Sequence, residues 1–231
     1  MNLQIAVLIS SDVEWSSVIK YHKNPELQTS PFGAFFFSPI AGILTLFFQG
    51  GWGKISASAS TQYVIDRWKP KLIINIGTCG GIKDRVCVGE VLLVEKTIVY
   101  DIVERMGDPL QAIAHYSTTL DLSYLSEPYP QKVRKSFMLT ADQDLDPARI
   151  FELMCEYPII AADWESGAIA WVAQKNQVPC LILRAVSDLV DEKEGEAYNN
   201  RLFKDRAEEV TRSLLYVLPV WIKCIRWNPN Q

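Results

Sequence analysis

A chain of 231 residues, 48% apolar and 22% charged, is long enough to bury the core of one large α/β domain and has no charged block that would keep a segment unfolded. Its formal net charge of −4 argues against a nucleic-acid partner, because phosphate-backbone binding rests on clustered Lys and Arg. With only His22 and His115, and five cysteines lacking paired metal-ligand spacing, no metal site is expected and a Ser-His-Asp triad has little to draw on.

Residues 2–9 form an apolar run that reads as a first strand. It lacks the basic flank and small-residue cleavage site of a leader and is too short to span a bilayer, so no membrane partner is expected. Ser10-Ser-Asp-Val-Glu14 follows, and Trp15, Val18, Ile19 and His22 have helical spacing, which places Glu14 one turn into a helix near the strand's carboxyl end. Residues 25–39 carry turn punctuation around an aromatic run and predict a hairpin edge strand. A strand over 43–49 ends at Gly50-Gly-Trp-Gly-Lys54, and the helix after it stops at Pro70.

Residues 72–81 read as a strand closing in Gly77-Thr-Cys-Gly-Gly81. These glycines predict a tight turn whose free amides hold an anion or a hydroxyl, although the pattern is neither a Walker loop nor a dinucleotide fingerprint. Residues 89–94 and 97–101 predict one bent strand or two short ones. Residues 106–130, polar and interrupted by proline, predict an irregular surface excursion. A strand over 136–140, a loop over 141–147 and an amphipathic helix near 148–156 come next. The apolar residues 159–162 lead to Glu165, which opens a helical pattern. Residues 181–188 form an apolar run that ends abruptly in Ser187-Asp188. That pattern predicts a buried strand whose carboxyl end brings Asp188 to a crevice, where open α/β sheets bind ligands. A charged loop over 191–196 precedes a long helix marked by Phe203, Ala207, Val210, Leu214 and Val217. The apolar tail 221–227 would pack on the body or on a second subunit.

Alone, Asp188 reads as a cap and Glu165 as an ordinary first-turn acid. Together with Glu14 they make three acids, each just beyond an apolar strand, which predicts one shared pocket.

The order of Ser10-Ser-Asp-Val-Glu14, then Gly51-Trp-Gly-Lys54 and Asn75-Ile-Gly-Thr-Cys-Gly-Gly81, then Asp163-Trp-Glu-Ser166 and Arg184-Ala-Val-Ser-Asp188, resembles the purine nucleoside phosphorylase and 5′-methylthioadenosine/S-adenosylhomocysteine nucleosidase superfamily from about Leu3 to Val217. The resemblance implies a single-domain α/β fold over 1–231: a three-layer sandwich with a central mixed, partly barrel-like sheet flanked by helices. It implies cleavage of the N-glycosidic bond of a purine nucleoside with no cofactor. Asp188 would protonate the departing base at N7, with Ser187 orienting it. Glu165 would hold the ribose hydroxyls with Trp164 beside the sugar, Glu14 would activate water, and Thr78 with Gly77 would line the nucleophile side. Leu145 follows Asp144, which stands where many relatives place a base-stacking ring, and Ile102, Val103 and Met106 are candidates for a 5′-alkylthio pocket.

Phosphorylases of this superfamily cradle phosphate with arginines, one in the strand before the glycine turn and one after the first strand. Here those places hold Asn75 and Ser10-Ser-Asp-Val-Glu14, so a hydrolase is expected. The alternatives are a phosphate-dependent phosphorylase and a nucleoside-binding protein without turnover. The resemblance also implies a homodimer, for which Trp52, Trp68 and the 221–227 tail offer anchors. Cysteines within apolar runs suit a reducing cytoplasm.

Overall fold

The computed structural model describes residues 3–227. In chain order its elements are β1 (Ile5–Ile9), α1 (Asp12–Tyr21), β2 (Gln28–Ser30), β3 (Gly33–Ile40), β4 (Ile43–Gln49), α2 (Gly53–Trp68), β5 (Leu72–Ile82) and β6 (Val91–Val99). They continue with α3 (Pro109–Tyr116), β7 (Thr118–Thr119), β8 (Arg134–Thr140), α4 (Ile150–Glu156), β9 (Ile159–Asp163), α5 (Ser166–Lys175), β10 (Cys180–Val190) and α6 (Asn200–Lys223).

The central strands β1, β5 and β10 are apolar nearly throughout because both faces of the sheet are covered there. Their alternation then divides the core in two. Ile5, Val7 and Ile9 of β1 join Leu181, Leu183 and Ala185 of β10 beneath α1 and α6. Ala6 and Leu8, with Ile73, Ile182 and Val186, face α2 and α5 on the other side. This is the three-layer arrangement expected.

β5 organises the sheet. One edge runs parallel to β10 over its whole length. The other edge pairs with β1 over Leu72–Asn75 and then with β9 at Gly80 and Gly81. Beyond that change of partner the sheet closes on itself, because β10 pairs with β6, β6 with β8, and β8 with β9. β4, β3 and β2 extend the sheet on the far side of β1. The sheet is therefore partly a barrel, and β1 and β9 diverge from the same edge of β5, leaving a crevice at their carboxyl ends.

Three expectations change. The 77–81 glycines do not turn: the chain stays extended through Ile82, and the glycines serve close packing instead. A Cβ on Gly81 would meet Val86 Cγ2 at 2.4 Å. β10 does not end at Asp188 but runs to Val190, with a register shift between Val186 and Asp188. Residues 106–130 contain α3, started by Asp108 accepting from the Leu110 N–H, and Leu125, which is buried. The tail up to Trp227 packs back on the body, one of the two placements expected: Trp221 is fully buried and stacks with Tyr129 at 5.5 Å, and Trp68 packs against Phe35.

Candidate active site

Arg184 is 0% exposed in the middle of β10, and a buried guanidinium requires counter-charges and acceptors for its five N–H groups. α1, β5, β9 and the start of α5 supply them. Nε lies 2.8 Å from Asp163 Oδ2 and donates to Ser166 Oγ at 3.0 Å. One terminal nitrogen donates to Asn75 Oδ1 at 2.8 Å and lies 3.7 Å from Glu165 Oε2. The other is 4.0 Å from Glu14 Oε1.

Glu14, 1% exposed, does two things at once. It closes the capping box of α1, accepting Ser11 N–H at 3.0 Å while Ser11 Oγ accepts Glu14 N–H at 3.3 Å. Its other oxygen accepts from Thr78 N–H at 2.6 Å and Thr78 Oγ at 2.9 Å. Gly77 leaves the room for this: a Cβ there would meet Arg184 at 2.2 Å and Glu14 Oε1 at 2.6 Å.

Glu165 lies at the start of α5, with its Oε1 accepting from Gly53 N–H at 3.1 Å. Burial holds its proton affinity well above the usual carboxylate range, against the pull of Arg184, and Asp163 and Glu14 add to the rise.

Asp188 stands apart from this cluster. Its Oδ1 accepts from Ser187 Oγ at 2.6 Å, and the bulge at Ser187 re-aims its side chain. Burial pushes its pKa up to about 6; the Ser187 hydrogen bond pulls it back, and Asp144 and Glu196 add to the rise.

Glu14, Thr78, Leu145, Trp164, Glu165, Ser187 and Asp188 all line one cavity of about 420 Å³. Gly77 does not; it lies behind the wall, under Arg184. Trp164 stacks on Trp52 at 5.0 Å, and its indole N–H donates to Asp144 Oδ1 at 3.2 Å. Ile102, Val103 and Met106 are absent from the lining, and Met106 is 97% exposed. Val190, Ala197 and Phe203 line the wall instead.

Sequence reasoning missed Arg184, Asp163 and Ser166 as one network with Asn75. The available signal was a charge inside Leu181-Ile-Leu-Arg-Ala-Val186, since an arginine in a two-sided apolar strand demands carboxylates.

The family model described as Phosphorylase superfamily matches residues 4–218. A 5′-methylthioadenosine/S-adenosylhomocysteine nucleosidase of Listeria welshimeri is 30% identical over 182 residues, covering 69% of this chain and 75% of that protein. Among solved structures, the chain resembles the nucleosidase of the same name from Helicobacter pylori with butyl-thio-DADMe-Immucillin-A, with a TM-score of 0.80 and 17% identity over 96% of this chain and 98% of that one. It likewise resembles futalosine hydrolase of Helicobacter pylori, with a TM-score of 0.81 and 18% identity over the same shares of each chain. At such identities the structural likeness speaks for the fold, while the family rests on the match from residue 4 to residue 218: the chain belongs to the phosphorylase superfamily.

Proposed function

We propose that this chain hydrolyses the N-glycosidic bond of a purine nucleoside, with 5′-methylthioadenosine and S-adenosylhomocysteine as substrates, releasing free base and a ribose derivative. The activity named for the Listeria welshimeri relative supports this reading. The observation that carries it is the charge of the cavity wall. Asp12, Glu14, Asp144, Asp163, Glu165 and Asp188 line it, and among the described residues no Lys or Arg does. Arg184 lies behind the wall, engaged by carboxylates. A phosphate dianion would meet repulsion there, whereas water and a developing sugar cation are favoured.

The steps follow from the geometry. Asp188, whose pKa burial raises to about 6, gives its proton to N7 of the base as the bond between base and C1′ breaks. The sugar becomes an oxocarbenium-like cation, stabilised by the surrounding carboxylates. Glu165 accepts the ribose hydroxyls with Trp164 packed beside the ring. Glu14 takes a proton from water as its oxygen bonds to C1′, and Thr78 fixes Glu14 for that task. Ser187 orients Asp188, Leu145 lines the base pocket, and Gly77 makes room for the nucleophile side.

A panel of purine nucleosides with and without phosphate, read by free base, tests the proposal. Release independent of phosphate is expected. A strict phosphate requirement would make the chain a phosphorylase, and binding without release would make it a binding protein.

The continuous sheet supports treating 1–231 as one catalytic unit. Trp52 at 69%, Ile55 at 82% and Met106 at 97% exposure, with Val103 and Leu110, leave apolar surface on α2 and the segment into α3. We assign that surface to a second copy of the chain in a homodimer, which would cover the cavity mouth at Trp52. A monomer by light scattering at micromolar concentration would refute this. Among the described residues no helix is long and apolar enough to cross a membrane. The unpaired, buried thiols of Cys79 and Cys180 support a reducing cytoplasm.

A further inference from the structure

The first N–H groups of a helix have no partner inside it, and Trp52, at the N-cap of α2, supplies no side-chain acceptor. Two carboxylates from elsewhere fill that role. Gly53 N–H donates to Glu165 Oε1 at 3.1 Å, and Lys54 N–H donates to Asp142 Oδ1 at 2.7 Å. The second carboxylate is itself held. The Lys54 ammonium pairs with both oxygens of Asp101 and lies 3.7 Å from Asp142 Oδ2, while Asp101 Oδ2 accepts Asp142 N–H at 2.9 Å.

Lys54 and Asp101 are largely buried, with side chains 21% and 17% exposed, so salt screens them less than a surface pair. Gly53 has a φ of +79°, and a Cβ there would meet Asp142 Oδ1 at 2.9 Å, so only glycine fits this turn. Asp101 lies just beyond β6 and Asp142 just beyond β8. The cluster therefore fastens the first turn of α2 to two strands of the barrel, while Glu165 extends from the end of a third, β9.

We propose that Lys54 is a positioning residue: through Asp101 and Asp142 it fixes the first turn of α2 and so keeps the Gly53 amide on Glu165. This rests on the proposed sugar-binding role of Glu165. A carboxylate left to rotate would not present the same oxygens to the ribose hydroxyls, and loss of geometry at a binding group is felt in affinity before chemistry.

The test is the steady-state kinetics of Lys54→Met, with Asp142→Ala as a second variant should the first not fold. Loosening the hydrogen bond that fixes this carboxyl is expected to raise KM about tenfold. The fall in kcat is smaller, because a group holding the hydroxyls binds ground and transition states alike. The Gly53 amide also lowers the proton affinity of Glu165, so the acid limb of kcat/KM moves to higher pH. Lys54→Arg, which keeps the charge, stays near wild type. A folded variant with KM and acid limb unmoved overturns the proposal, as does a fall in kcat at constant KM.

Should wild-type protein release no base from any nucleoside, the functional reading fails by itself. Carboxyl titration by difference infrared spectroscopy then still decides the role of Lys54: an upward shift in Lys54→Met supports it, and no shift refutes it.

Discussion

The cavity has acids at both ends and sets them in different surroundings. At the base end, Asp188 has one hydrogen bond among the described residues, from Ser187, and burial pushes its pKa up to about 6. At the nucleophile end, Glu14, Asp163 and Glu165 crowd around Arg184. Burial raises the proton affinity of Asp188 and of Glu165 alike, but only the acids grouped about the guanidinium have a counter-charge that pulls the other way. One residue type thus supplies an acid at one end, and at the other a base and a field that favours a cation.

Removing the cation breaks the crowded end and has the largest expected effect. Arg184→Met leaves three buried acids without a counter-charge, which is expected to cost about 3–5 kcal/mol of stability. Urea unfolding measures it, and the loss deepens as pH rises because more of those acids must ionise. A loss under about 1 kcal/mol would mean that the acids find other partners.

At the isolated end the expected effect is on rate rather than stability. Asp188→Asn keeps the shape and the Ser187 contact but removes the proton donor, so kcat/KM falls by ~10²–10⁴. The melting temperature holds or rises, because a buried ionisable group has been replaced by a neutral one. A variant that retains near-normal rates would show that the base leaves without help from Asp188.

The two ends were unequally legible in sequence. Asp188 and Glu14 stand just beyond or at the close of apolar runs, and the nearly unbroken burial of β1 and β10 left little choice of location. The partners of Glu14 were harder. Gly77 signalled either a turn or a missing side chain, and sequence alone does not separate the two uses of glycine. Only the approach of Arg184 and Glu14 to its Cα explains it. Arg184 itself stood out as a charge in an apolar strand, but its three carboxylates come from two distant stretches, Glu14 and Asp163-Trp-Glu165, and no local spacing relates either stretch to Arg184. Phe203 has core-like helical spacing yet faces the cavity, because the loop after β10 brings the start of α6 across the mouth. The Pro109–Tyr116 helix was hidden by its length and setting: eight residues, none of them buried, within a polar stretch interrupted by prolines give a spacing too short to decide the element.

The comparison is sharpened most finely by pH. The acid must be protonated to work, so kcat/KM falls as pH rises through about 6, the value to which burial raises Asp188. Stability carries the same sign. The folded state binds a proton at Asp188 more tightly than the unfolded chain, whose ordinary value is 3.8, so this stabilising contribution is complete below 3.8 and is lost as pH rises through about 6. Ser187→Ala separates tuning from orientation. The Ser187 hydroxyl donates to Asp188 and lowers its pKa, so its removal carries the descending limb of kcat/KM to higher pH. The maximum of the profile reports orientation, and its fall is expected to be smaller than that of Asp188→Asn. A limb that stays in place while the maximum drops would mean that Ser187 aims the carboxyl without tuning it. A limb unmoved in both Ser187→Ala and Asp188→Asn would assign it to another group, and the acid of the isolated end would have to be sought elsewhere on the cavity wall.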